Sequence, residues 1–221
     1  MEIIHCYFPD DLLYDLDSNA WVRLLPNGQL EIGVTSLLSG IAGKMVSAKL
    51  KPAGTVIVKG QSLGTLESVR SVGSIPSPVS GKIVLVNSDV VQAPRLLNRS
   101  PYVDGWVARL QPTNLDREES SLSSIEAAKP SLEKKVVELR VRCFKAFPDH
   151  EMYEIGTECS AVLVRLNELI SIVPIGDVVH IVSDDPTAYV EMVVWTDKTK
   201  QKLVEWRKEN NLFHFIVEKV H

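Results

Sequence analysis

The sequence predicts two domains, an all-β sandwich or compact barrel followed by a two-layer α/β sandwich of order β-α-β-α-β-β. Three observations carry this expectation. The chain has 221 residues, long for one small domain and natural for two of about 100 each. Before residue 112, short apolar runs alternate with glycines and prolines. After residue 135 the apolar spacing becomes helical in places, and a polar stretch separates the two patterns.

In the first domain, residues 1–112, Ala20-Trp21-Val22-Arg23-Leu24 and Leu30-Glu31-Ile32-Gly33-Val34 flank the turn signal Pro26-Asn27-Gly28 and read as a hairpin. Further strands are expected at Lys44–Val46, Thr55–Val58, Leu63–Glu67 and Gly81–Val86. Pro52, Gly54, Gly60, Gly73, Pro76 and Pro78 fall between them as turn formers.

Residues 113–134 are rich in serine and charge and poor in aromatics, so they read as a polar linker. A short helix after Ser124 would end at Pro130. The second domain, residues 135–221, opens with a strand at Val136–Val141. From Ser160 the apolar residues Val162, Leu166, Leu169 and Val173 take helical spacing, and Val178–Val182 is a buried-type strand. A second helix starts near Pro186-Thr187. The tail either extends that helix through Lys202–Trp206 or forms a hairpin about Asn210-Asn211. The β formers of Leu212–Val217 favour the hairpin.

A formal net charge of −4 with scattered lysines and arginines gives no basic stripe, so no nucleic-acid partner is expected. No apolar run reaches the ~18 residues of a membrane span, and the N-terminal residues lack a basic-then-apolar signal pattern. Cys6, Cys143 and Cys159 are odd in number and far apart, which fits neither a disulfide framework nor a zinc site. A cytoplasmic location is the simplest expectation.

The segment Leu66-Glu67-Ser68-Val69-Arg70-Ser71-Val72, with Ile75-Pro76-Ser77-Pro78-Val79-Ser80-Gly81-Lys82-Ile83, resembles the lipoyl-attachment hairpin of the glycine cleavage H protein. Ala20–Arg23 and Gly33–Thr35 upstream, and Pro94-Arg95-Leu96-Leu97-Asn98-Arg99-Ser100-Pro101-Tyr102 through Trp106 downstream, extend the resemblance over residues 12 to 112. The first domain is then expected to be a lipoyl-carrier-like (hammerhead) sandwich. In that family the Glu-Ser-Val triplet precedes the lysine that carries lipoate, and here Arg70 holds the position. A guanidinium stays protonated and cannot attack an activated acyl group. The resemblance therefore implies no lipoate cofactor; Lys44 and Lys82 lie outside the tip motif. Arg70 is either an ordinary surface arginine or a docking residue for a carboxylate or phosphate on a partner.

The segment Gly156-Thr157-Glu158-Cys159-Ser160-Ala161-Val162-Leu163 resembles the entrance to the first helix of the TusA/SirA-like sulfur carriers. Ile175–Val178 and Ile181–Pro186 resemble the same family's strand-to-helix junction. The resemblance implies persulfide transfer through Cys159. A thiol at a helix N-terminus meets unpaired N–H groups and the positive end of the dipole, which favour a thiolate, while Glu158 opposes one. Ser160 and Val162 replace the prolines usual in that family. A lone cysteine before a helix also fits a small buried hydrophobe.

Cys6 and Cys143 read as packed thiols, and His5, His150, His180, His214 and His221 have no metal-ligand spacing. Asp184-Asp185 reads as a helix cap. Three functions follow: a cytoplasmic sulfur carrier using Cys159 with the first domain as docking module, a non-catalytic adaptor, and a glycine cleavage carrier, which Arg70 opposes. Protein partners in sulfur transfer or lipoate-linked metabolism are expected, and a carrier more than a stand-alone enzyme.

Overall fold

The computed structural model describes residues 1–221 and divides into two units, Met1–Cys143 and Phe144–His221. The first unit opens with the short strands β1 (Glu2–Ile3) and β2 (Cys6–Tyr7). A meander of β3 (Leu13–Asp15), β4 (Ala20–Leu24) and β5 (Leu30–Val34) follows, then α1 (Ser36–Ala42). Next come β6 (Met45–Leu50), β7 (Val56–Ile57), β8 (Ser62–Ser68), β9 (Val72–Pro76) and β10 (Gly81–Val86). The unit closes with α2 (Ser88–Gln92), α3 (Leu96–Arg99), β11 (Trp106–Pro112), α4 (Leu115–Glu118) and α5 (Ile125–Glu138).

These strands make a six-stranded sheet, β3-β4-β5-β11-β10-β7, and a three-stranded one, β6-β8-β9. Val22, Ile32 and Val34 of the larger sheet share one apolar core with Met45, Leu66 and Ile75 of the smaller, so this part is the all-β sandwich that the turn pattern predicts. The Pro26-Asn27-Gly28 hairpin forms as expected, with Gly28 at φ +77°. A side chain at Gly33 would meet the Trp21 ring, 2.3 Å from its nearest carbon. The absent side chain lets the indole lie flat on β5 and donate Nε1–H to Val34 O and Pro101 O. Outside that core, Glu31 sits in register between Arg23 and Arg109 on the flanking strands, 2.8 Å from each. The two guanidinium groups lie over Trp21 and Trp106, so the ladder is paired by charge and covered by aromatic faces.

Two expectations fail in the stretch after β11. Residues 113–134, read as a polar linker, hold α4 and most of α5, and the division between units falls instead at 143/144. Helix α5 also continues through Pro130 into the segment Val136–Val141 that was expected to be a strand. Its buried residues Ile125, Ala128, Leu132 and Val136 recur at helical spacing and pack on Ile3, Phe8, Leu12 and Tyr14. Burying four side chains outweighs the ~3 kcal/mol that an interior proline costs a helix. Ser124 caps the helix N-terminus, and Ser123 exchanges two backbone hydrogen bonds with Tyr14.

The cysteine expectation is also corrected: Cys6 and Cys143 form a disulfide across 137 residues of sequence, which spacing alone does not reveal. It ties β2 to the chain just before the second unit. The expectation of a cytoplasmic location leaned on the absence of a disulfide framework and loses that support. No helix is long and apolar enough to cross a membrane.

The second unit contains β12 (His150–Glu154), α6 (Cys159–Ile172), β13 (Val178–Ser183), α7 (Ala188–Thr199), β14 (Lys202–Glu209) and β15 (Leu212–Glu218). The element order is the expected β-α-β-α-β-β, with its first strand at 150–154 instead of 136–141. The sheet runs β12-β13-β15-β14, with β12 parallel to β13 and the other pairs antiparallel. Val162 and Leu166 of α6 and Met192 and Trp195 of α7 pack on Val179, Ile181, Phe215 and Val217 of the sheet. On the opposite face, His180 and His214 share a 2.9 Å hydrogen bond beneath the Phe144 ring. They are buried strand residues, as their apolar neighbours predict. The tail forms the hairpin, turning at Asn210 with φ +54°.

The disulfide is checked by counting thiols. Denatured, unreduced protein is expected to titrate one thiol and reduced protein three, and peptide mapping should join the Cys6 and Cys143 peptides.

Candidate functional site

The hairpin tip between β8 and β9 is built by Ser68. Its backbone N–H bonds Ser71 O at 2.8 Å, and its hydroxyl accepts from the amides of Arg70 and Ser71 at 3.2 and 3.0 Å. A serine closing a turn with its own side chain holds the next residues in one conformation. The Val69 amide donates to Lys44 O at 2.9 Å, which docks the tip on the chain between α1 and β6.

Asn98 on α3 fixes that docking edge. Its buried side-chain amide accepts from Met45 N at 2.8 Å and donates to Gly43 O at 2.9 Å. Ser39 Oγ of α1 donates to Leu97 O at 2.6 Å, so α1, α3 and β6 are held together under the tip. Gly43 ends α1 at φ +79°, which favours glycine, and a side chain there would approach both Val69 and Arg70 at 3.2 Å.

Arg70 lies exposed at the tip and turns back over α1. Its Nη1 is 3.3 Å from Gly40 O and 3.5 Å from Ile41 O. These hydrogen bonds are long, but they put a permanent cation against the carbonyl end of the helix. Val69 and Val72 beside it are strongly exposed. Lys44 contributes its carbonyl next to the tip, and Lys82 sits on β10 in register with Val56 and Gln111.

Cys159 lies in the other unit as the first residue of α6. Its backbone N–H donates to Asp185 Oδ2 at 2.8 Å, and the other oxygen of Asp185 accepts from Thr187 N and Oγ1. Asp185 thus serves both helix starts, as its capping pattern suggests, and the Thr187 and Cys159 donors hold its carboxyl below the usual range. Cys159 as a whole is buried, 2% exposed. Burial first, then the carboxylates of Glu191 and Asp185, pushes its pKa from 9.0 up to about 12. This reverses the direction expected from a helix N-terminus. Local sequence indicates Glu158 as the opposing charge, whereas Glu191 approaches from α7, and only the fold brings it there.

Two outcomes test this geometry. Asn98→Leu leaves a buried N–H and C=O unpaired at the β6 start, and should cost about 2–3 kcal/mol in urea unfolding and speed amide exchange at Val69. Cys159 should resist alkylation at pH 8 in the folded protein and react at once when unfolded. Because the folded thiol stays protonated where the unfolded one ionises, its contribution to stability is constant below pH 9 and falls as pH rises from 9 towards 12.

Comparison with known proteins bears on the first unit. A sequence model of the family "Glycine cleavage H-protein" matches residues 12–135, a span that includes most of α5. Glycine cleavage system H protein 3 of Aquifex aeolicus is 36% identical over 143 residues, 63% of this chain and 89% of that protein. The H protein of Chlorobium phaeobacteroides is 39% identical over 103 residues, 47% of this chain and 80% of its own. The crystal structure of an H protein from Mycobacterium marinum superposes with a TM-score of 0.50 at 29% identity, covering 56% of this chain and 98% of that one. The sandwich, the hairpin tip and these matches agree, and the chain belongs to the glycine cleavage H-protein family.

Proposed function

We propose that this chain is an H-type docking protein that carries no lipoate, with Arg70 standing where the family's hairpin holds its attachment lysine. The observation that carries this reading is the tip itself. The turn is clasped by Ser68, and the residue at its apex is a guanidinium folded against the end of α1. A guanidinium is not acylated by the chemistry that loads an amine. The proposed partners are proteins of lipoate-linked metabolism, met by the H-like unit through its tip face, with the second unit as an appended TusA-like module.

A second reading, a persulfide relay through Cys159, is favoured by the cysteine's place at the first residue of α6 within the β-α-β-α-β-β order. Burial of the sulfur and the neighbouring carboxylates weigh against it, since the nucleophile is the thiolate. The docking reading therefore ranks first. Lipoate-borne carriage in glycine cleavage ranks last because of Arg70.

The test uses full-length protein and a lipoate–protein ligase that loads H proteins, read by intact mass. Wild type should show no lipoyl adduct, while Arg70→Lys should gain one. A lipoyl adduct on wild type contradicts the proposal. Treatment with a persulfide donor should add no sulfur to native protein, and an adduct lost in Cys159→Ser would put the relay first.

A further inference from the structure

Helix α1 is gripped by two segments of the first unit that the Cys6–Cys143 disulfide joins. One is β2. Ser36 Oγ at the start of α1 donates to Tyr7 O at 3.3 Å, and Leu37 packs in one cluster with Ile3, Cys6 and Phe8. The other is the strap of residues 140–143, which leaves α5 through Arg140 at φ +51°. Val141 of the strap is buried in the same cluster and seats on Gly40, where a Cβ would lie 2.5 Å from Val141 Cγ1. A non-glycine residue at positive φ is held there by its surroundings, so the strap depends on its anchors at Val141 and Cys143.

The last turn of α1 is also where the hairpin tip is held. Gly40 O and Ile41 O face Arg70 Nη1, and Gly43 N closes the helix on Ser39 O at 2.9 Å. Lys44, the next residue, takes the Val69 amide on its carbonyl. The residue on which Val141 seats is thus the one whose carbonyl meets Arg70. We propose that the Cys6–Cys143 disulfide is a redox latch on the tip. Closed, it fixes the tip for docking. Reduced, it frees the strap and loosens the end of α1 and the tip together. The latch rests on the reading of the tip as the docking face, whose regulation it supplies.

The step is a thiol–disulfide exchange with a dithiol reductant. Cys6 is wholly buried and Cys143 half-buried, so access directs the attacking thiolate to Cys143 Sγ. The S–S bond breaks, and Cys6 Sγ leaves with the electron pair and takes a proton. The reductant's second thiol then displaces Cys143 from the mixed disulfide. Two electrons and two protons have passed to the protein, and the reductant ends as a disulfide. What opens is a cross-link over 137 residues of sequence, and Val141 loses the anchor two residues beyond it. Asn98 still bonds Gly43 and Met45, so the fold of the unit outlasts the latch.

The test follows amide hydrogen exchange of full-length protein with and without excess dithiothreitol, while circular dichroism reports the fold. Reduction should raise exchange at Val141, Gly43 and Val69 about tenfold and leave the amides of β13 and β15 unchanged. The double variant Cys6→Ser with Cys143→Ser should exchange like reduced wild type, and dithiothreitol should change it no further. The proposal is overturned by a disulfide that resists dithiothreitol in the native protein, or by Gly43 and Val69 amides that exchange alike in both states. A first unit that unfolds on reduction overturns it as well, since the bond is then a staple of the whole fold. Failure of the docking reading shows instead as a lipoyl adduct on wild type, which these exchange rates do not report.

Discussion

The side-chain amide of Asn98 is the contact on which the H-like unit's tip depends. It satisfies a buried donor at Met45 and a buried acceptor at Gly43, on either side of Lys44. The Lys44 carbonyl is in turn the docking point for the tip through the Val69 amide. Without that asparagine the end of α1 and the start of β6 would leave polar groups buried and unpaired, a more costly defect than the loss of one surface hydrogen bond. With it, Ser68 can fold the turn and Arg70 can reach the carbonyls of α1. The tip is thus a built structural corner, supported from three elements that are distant in sequence.

Much of this architecture is legible in the amino-acid order. Pro26-Asn27-Gly28 between two alternating apolar runs specifies a hairpin, and so do Asn210-Asn211 and the β formers after them. The run Val178–Val182 reads as a buried strand because it occupies the middle of a sheet with both faces covered. What failed is what depends on long-range packing. Pro130 is a local stop signal, and only the groove lined by Ile3, Phe8 and Tyr14 makes it worth overriding. Cys6 and Cys143 become neighbours because α5 returns the chain to the N-terminus, and nothing near either cysteine announces that.

The candidate site was half legible. Arg70 and its place at the tip follow from a short motif, but the carbonyls it meets on α1 and the Asn98 support lie roughly thirty residues away on either side. For Cys159 the local rule gave the wrong direction. A helix N-terminus does favour an anion, yet its effect falls off within the first turn and is modest. Loss of hydration together with two carboxylates outweighs it. Both readings changed for one reason, that the charges and carbonyls deciding a side chain's behaviour come from elements packed beside it.

The two units therefore carry opposite lessons about chemistry. The first keeps its family's sandwich and presents Arg70, a permanent cation, in a turn held from several sides. The second puts a thiol where sulfur chemistry would want it and then buries it against acids. The tip of the H-like unit is fixed in place by these contacts instead of serving as a tether. Amide ¹⁵N relaxation at Val69, Arg70 and Ser71 tests it most directly. Order parameters near those of the flanking strands, about 0.85, are predicted, and values below about 0.6 at the three residues would contradict it.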